Sequence, residues 1–411
     1  MKKWIAILLL LVGAAIAFFV WRKHQAEKFA SKAKTAIEEN DFQSARVFAE
    51  KALAIRPNHT PTLLIYAESV FKDSTMDGDS RIDKSLTALG KIGDNVDESL
   101  AARKYEASLL FFSRLKAVEA EEALIRATAI STDDLEANLS LMRIYCATGR
   151  ETFISPLFET MIQIAGTKSE TQEVLIAWFL SQFSLGSYNS STDQMLGVEG
   201  LYASNIPASQ KRLLAFRDSE PDQIQPKVAL AYWFYLRSDG KQAKVILDEL
   251  DPEKIDLTDP LYLMTAVNVY LEMGEIEIAQ ELHGYWDNQT YFEYWRQKGV
   301  IEQDYKGNKH EAIKAFEKAL TIWPGPIDPS LPFRLETCYK GIEDFEKAAE
   351  YKTRGEKLRN NTDVSRIKEL QQLLIRGQLD QETCEKFVAF YKSLGREIEA
   401  QYWRALPTLP E

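Results

Sequence analysis

The stretch Gly307–Pro324, GNKHEAIKAFEKALTIWP, sets Gly307, Ala312, Phe316, Ala319 and Pro324 at steps of five, four, three and five. Steps of three and four place Ala312, Phe316 and Ala319 on one face of a helix, with Gly307 ahead of it and Pro324 beyond its end. Two of the three face residues are alanine, so the spacing predicts a helix that admits a second helix at close range.

The frame recurs. With Ala312 at position 20 of a 34-residue period, Gly307 takes position 15, Phe316 24, Ala319 27 and Pro324 32. In NDFQSARVFAEKALAIRPN, Ala45, Ala52 and Pro57 take 20, 27 and 32, with Phe42 at 17; in VEAEEALIRATAISTDD, Ala120, Leu124 and Ala127 match and Thr132 stands in for the proline. A tyrosine four residues ahead of a glycine recurs as Tyr145/Gly149, Tyr270/Gly274 and Tyr391/Gly395. In the last two pairs, and after Gly307, an alanine follows the glycine by five residues: Ala279, Ala400 and Ala312. Glycine permits a tight interhelix turn, alanine a close crossing, and the aromatic fills the space beside it.

This pattern resembles the tetratricopeptide repeat, a 34-residue helix-turn-helix unit. The spacing places units at about 26–59, 60–93, 94–133, 135–167, 260–292, 293–326 and 329–361, with a degenerate helical pair over 364–406. The chain then divides into an anchor and basic flank (1–25), an N-terminal array (26–167), divergent helical repeats (168–259), a C-terminal array (260–361) and a degenerate pair (362–411). Within the divergent part, Ser187–Pro226 carries the longest loop-like text, expected to be an irregular link. The fold expected is all-α, with repeats contacting chiefly their neighbours along a quasi-one-dimensional array.

Ahead of the repeats, MKK precedes eighteen uncharged residues, Trp4–Trp21. As a helix these span ~27 Å, near the thickness of a hydrocarbon core, and tryptophans mark both ends. One transmembrane helix is expected; a cleaved signal peptide is the rival, since Ala15-Ile16-Ala17 forms an A-x-A site. Lys2 and Lys3 oppose Arg22, Lys23, Lys28, Lys32 and Lys34 across the span, which leaves the side of the body open. The first 36 residues hold seven Lys/Arg and one Glu, so the remainder carries −17 of a net −11. An acidic body argues against nucleic acid as a partner, and the basic flank suits anionic headgroups.

Motifs for chemistry are sparse. His310-Glu311-x-x-Lys314 lacks the second histidine of a zinc helix, and Asp73–Asp79 copies half of a calcium loop but has Lys84 where the closing glutamate belongs. Cys146, Cys338 and Cys384 lie far apart without CxxC spacing and are expected as buried apolar residues. Asn58, Asn138, Asn189, Asn288 and Asn360 begin N-x-S/T triplets, and the aromatic runs Tyr232–Tyr235 and Tyr291–Trp295 are expected in the core. No metal, cofactor or catalytic residue is expected.

The resemblance to membrane-anchored tetratricopeptide proteins of bacterial type implies a right-handed α-solenoid and a non-catalytic scaffold in the bacterial inner membrane. A protein or peptide partner would bind in its concave groove. The alternative is a chaperone-like or carrier protein, cleaved or periplasmic, that binds a secretion client or a glycan. The family's inward positions 5, 9 and 12 correspond to Leu139, Arg143 and Cys146; to Met264, Asn268 and Leu271; and to Gln297, Ile301 and Asp304. Carboxylate-holding relatives carry lysine at position 5 and asparagine at 9; here Asn268 matches and Met264 does not.

Overall fold

A computed structural model describes residues 2–182, 208–322, 325, 327–375 and 379–410, which form helices and turns with no strand. Pro324 and residues 187–207 of the expected link lie outside the described residues, while 208–219 and 225–235 are helical. The chain separates into two compact units, residues 1–132 and 133–411.

The first unit holds α1 (Lys2–Glu38), α2 (Phe42–Ile55), α3 (Thr60–Lys72), α4 (Gly78–Leu89), α5 (Ser99–Ser108, extended by a π turn over Leu109–Ser113) and α6 (Ala117–Ile130). Successive helices pack on one another, and Leu63, Ala67, Ala88, Leu89, Ile92, Ala102 and Leu109 form a buried cluster across α3, α4 and α5. Arg103 is buried and is held by Asp94, at 2.6 Å, and by Glu106. Asp94 also accepts from Arg126 at 2.9 Å, and the two arginines lower its carboxyl to about 2 against the opposing effect of burial.

The second unit holds α7 (Leu135–Thr148), α8 (Glu151–Ile164), α9 (Lys168–Ser181), α10 (Ala208–Ser219), α11 (Gln225–Tyr235), α12 (Gly240–Asp248), α13 (Pro260–Glu272) and α14 (Ile276–His283). It continues with α15 (Phe292–Val300, with a π turn over Ile301–Tyr305), α16 (Lys309–Thr321), α17 (Ser330–Lys340), α18 (Phe345–Asn361), α19 (Val364–Ile375), α20 (Gln381–Ser393) and α21 (Glu397–Ala405).

One turn geometry makes these hairpins. Among the described residues, positive φ occurs at Asn40, Leu115, Gly149, Ser238, Gly274, Gly307, Glu343 and Gly395. Each lies five residues before a buried side chain, respectively Ala45, Ala120, Ile154, Ala243, Ala279, Ala312, Ala348 and Ala400. The next amide donates back to the preceding helix, as from Arg150 to Tyr145 O (2.9 Å), Glu275 to Tyr270 O (2.8 Å), Asp344 to Tyr339 O (3.0 Å) and Arg396 to Tyr391 O (2.9 Å). This is the closing bond of a Schellman turn. That same residue then serves as N-cap of the second helix; Asp41, Asp239, Asn308 and Asp344 do so through their side chains. The turn therefore identifies α11/α12 and α20/α21 as hairpins of the same kind. Among the hairpins whose connection is described, α3/α4 departs, joined by a loop in which Asp73 accepts from Arg46 and Thr75 while Asp77 caps α4.

Crossings are as close as the alanines imply. Ala312, Phe316 and Ala319 are 0, 0 and 1% exposed. A Cβ on Gly299 of α15 would fall 2.3 Å from the Phe316 ring, so only glycine fits there.

An open array is not what the second unit forms. From α7 the packing passes through α11, α13, α15, α16, α17 and α18 to α20. The chain's last helices then meet α8 and α9 again. Phe179 of α9 meets Phe387 and Phe390 edge-on at 5.1 and 5.8 Å, Phe158 meets Tyr402 at 6.3 Å, and Lys168 N donates to Pro410 O at 2.7 Å. Repeats in this unit thus contact more than their neighbours, and the C-terminal segment, three helices where a pair is expected, closes it. The cause is an aromatic face: Phe387, stacked on Trp403 at 4.1 Å, needs apolar cover that α9 supplies.

Two outcomes follow for stability. Gly274→Ala has open space for its methyl group, so its cost is backbone strain alone, and Glu343→Gly relieves the same strain; melts should move down and up respectively by ~0.5–1 kcal/mol. Phe387→Ala should cost ~3–5 kcal/mol and speed amide exchange in α9 as well as α20. Exchange confined to α20 would show that the ring contact is not cooperative.

Candidate functional site

Inside the second unit, α8, α9, α11 and α15 surround a cavity of about 330 Å³. Its wall comprises Ile154 and Ser155 of α8, Trp178, Ser181 and Gln182 at the end of α9, Tyr232, Tyr235 and Leu236 from α11, and Phe292, Glu293 and Arg296 of α15, completed by Ile327 and Asp328. A second cavity of about 260 Å³ shares Phe292, Ile327 and Asp328 and reaches Arg354 and Arg396. There Arg396 Nη1 donates to Gly325 O at 2.8 Å, tying the α20–α21 turn to the loop after α16.

A polar network fixes the α15 side of the cavity. Arg296 Nε donates to Glu293 at 2.8 Å and its Nη2 to Asn268 Oδ1 at 2.8 Å. Gln297 Nε2 donates to Met264 O at 3.0 Å and to Asn268 Oδ1 at 3.2 Å, while Gln297 Oε1 accepts from Trp286 Nε1 at 3.0 Å. Burial works against the charge on Arg296, but Glu293, Tyr235 and Asp328 outweigh it and raise its pKa above the ordinary value. The guanidinium is thus held charged and aimed by partners on two helices.

Of the nine residues expected to line a groove, Leu139, Cys146, Met264, Asn268, Leu271, Gln297 and Ile301 are buried between helices. Arg143 is half-buried and pairs with Glu173 at 3.1 Å; Asp304 is exposed and pairs with Arg334 at 2.9 Å. Asn268 and Gln297 meet in the network above, behind the cavity wall and not on it. The aromatic runs are buried or half-buried, yet Tyr232, Tyr235 and Phe292 also face the cavity. Trp178, Gln182 and Arg296 carry no repeat-frame signal, because the frame marks helix crossings and these residues come together only when the unit closes.

Other candidates have structural duties. Glu311, beside His310, takes its place in the first turn of α16 and pairs with Lys314 at 2.7 Å. Cys146, Cys338 and Cys384 are buried free thiols, and Asn138 is 3% exposed inside α7. Asn189 lies outside the described residues. Among the described residues no group of His, Cys, Asp and Glu is placed to hold a metal ion.

Together these features define an all-α protein of helix-hairpin repeats. No family model matches the chain, and no curated protein matches it. It is similar to several solved structures. One is the hetero-tetramer Cut9-Hcn1 of the APC/C, at 13% identity over 92% of this chain and 75% of that one, TM-score 0.38. A tetratricopeptide repeat protein from Parabacteroides merdae matches at 11% identity over 77% and 99%, TM-score 0.34. Yeast Tom70 matches at 16% over 90% and 94%, TM-score 0.30. At such scores none of them carries an argument, and the repeat class stands on the turn geometry above.

Asn268→Ala removes the acceptor shared by Arg296 and Gln297, so each loses one hydrogen bond while Arg296 keeps Glu293 and Gln297 keeps Met264 O. It should lower stability by ~1–3 kcal/mol, measured by denaturant unfolding, with the largest loss of exchange protection in α13 and α15.

Proposed function

We propose that this chain is a non-catalytic scaffold of tetratricopeptide type, tethered to a membrane by its N-terminal helix and holding a protein partner on its repeats. The observation that carries the tether is the exposure along α1. This helix runs unbroken from Lys2 to Glu38. Ala26, Ala33 and Ala36 are buried against the repeats at 4, 0 and 6% exposed, whereas Phe18, Phe19, Val20 and Trp21 are 53, 68, 62 and 57% exposed. Large apolar side chains in a row without protein cover call for lipid, and Arg22 and Lys23 follow where headgroups would lie. The side chains of residues 2–12 and 14–16 lie outside the described residues, and among the described residues no helix is long and apolar enough to cross a membrane.

A continuous helix also couples anchor and scaffold mechanically, since the span leads into the first repeat without a flexible linker. Partner contact is assigned to the first-helix face where Arg143 and Asp304 remain accessible.

The full chain should stay with membranes through an alkaline wash, while a chain beginning at Arg22 is released. Recovery of a mature chain beginning at Phe18 would replace the tether with the cleaved-carrier alternative, and release of the intact chain would remove the tether. A protein retained by the parent and lost by both Arg143→Glu and Asp304→Arg, at parental melting temperature, supports the partner face; retention by both moves it elsewhere.

A further inference from the structure

The first unit distributes its charges unevenly along the axis of α1. Contacts between successive helices set the levels. Arg56 lies 4.0 Å from Glu27, Lys32 rests over the Phe48 ring, Arg46 pairs with Asp73 at 2.8 Å, and Ser85 Oγ donates to Ala67 O at 2.8 Å. Helices α1 to α4 therefore run in alternating directions, and the α2–α3 turn and the end of α4 return to the level at which α1 enters the repeats. Around that end, residues 22–32, 49–66 and 86–93 hold seven Lys/Arg and two Glu; the opposite end, residues 33–48 and 67–85, holds five Lys/Arg and eight Asp/Glu. Of the acids that follow at the basic end, Asp94 is held by Arg103 and Arg126, Glu98 Oε2 accepts from Thr60 Oγ1 at 2.6 Å, and Asp97 is exposed. Lys28 and Lys91 are exposed, and among the described residues neither makes an ion pair or a hydrogen bond through its side chain. Lys91 also lines a groove of about 280 Å³ between α2, α3 and α4, together with Leu53, Leu63 and Ala88.

We propose that this end of the first unit docks on the anionic headgroups of the leaflet that the tether enters, with Lys28, Arg56 and Lys91 as contacting cations. The proposal rests on the tether reading and adds to it a fixed orientation of the first repeats on the bilayer. Glu27 lies six residues beyond Trp21 on one unbroken helix, ~9 Å along its axis. Arg56, beside Glu27, and the turn that follows are thus within a long side chain's reach of a headgroup layer on the order of 5–8 Å deep. That separation is comparable to the Debye length of about 8 Å at physiological salt, so the attraction survives screening. The acidic end faces the other way and is repelled by an anionic surface, so both halves of the asymmetry favour the same orientation. A cation beside an apolar groove suits a lipid better than a free anion: the ammonium meets the phosphate, while Leu53 and Ala88 offer cover to glycerol and the first methylenes.

The test places the full chain in nanodiscs of phosphatidylcholine, with and without phosphatidylglycerol, and follows by mass spectrometry how fast a membrane-impermeant amine reagent modifies each lysine. Lys28 and Lys91 should react about fivefold more slowly in the anionic discs, the factor that corresponds to one basic side chain held at an anionic surface. Lys72, at the acidic end, should keep its rate, and high salt should remove the difference. Inorganic phosphate added to the neutral discs should protect neither lysine. Arg56→Glu, which reverses a partly exposed charge, should return the Lys91 rate toward its value in neutral discs while the chain still resists an alkaline wash. Equal rates in the two discs, equal slowing at Lys72, protection by inorganic phosphate, or slowing at Lys91 untouched by Arg56→Glu would each overturn the docking and leave the tether standing. Release of the parent chain in the wash removes the tether and this proposal with it.

Discussion

The structure depends on a left-handed backbone residue placed five positions before a buried side chain, alanine in every hairpin but one. That residue reverses the chain, its successor returns an amide to the previous helix and caps the next, and the alanine lets the two helices touch. Each hairpin is consequently a short-range object, specified within about ten residues by capping and by volume. Elsewhere the geometry tolerates variation. A π turn inserts an extra residue in α5 and in α15, and the return bond then spans six residues, from Lys116 to Leu110 O and from Asn308 to Glu302 O, without displacing the turn.

Repetition of that unit does not determine where the array ends. In residues 133–411 the aromatic face of α20 and α21 finds its cover on α8 and α9, more than 200 residues earlier in the chain. Closure converts an inward helix face, which in an open array is surface, into an interior. It also explains why so much polar chemistry is buried there: Glu293 and Asn268 accept from Arg296, and Asn268 accepts from Gln297, beside a space left between helices that cannot approach further.

The charge pattern divides along the same lines. Lysines and arginines of the first 36 residues flank an apolar stretch, whereas the repeats are acidic. Within the repeats most ion pairs are local or join adjacent helices, as in Arg143–Glu173 and Arg334–Asp304. Such exposed pairs set solubility and partner preference more than stability.

The repeat class and the burial of Ala52, Ala279, Ala312 and Ala319 were legible in the amino-acid sequence, because a positive φ favours glycine and a close crossing demands alanine. Where the left-handed position is filled by Asn40, Leu115, Ser238 or Glu343, the glycine signal vanishes, and α11/α12 shows in the sequence only as part of a divergent helical stretch, without a unit frame of its own. Steps of four and three put positions 5, 9 and 12 on one helix face, but periodicity cannot say what covers a face. Burial of Asn268 and Gln297, the meeting of α9 with α20, and the cavity between Trp178 and Arg296 were decided only by tertiary structure. Those contacts join residues far apart in sequence, and they depend on the sum of many small crossing angles that no local spacing records.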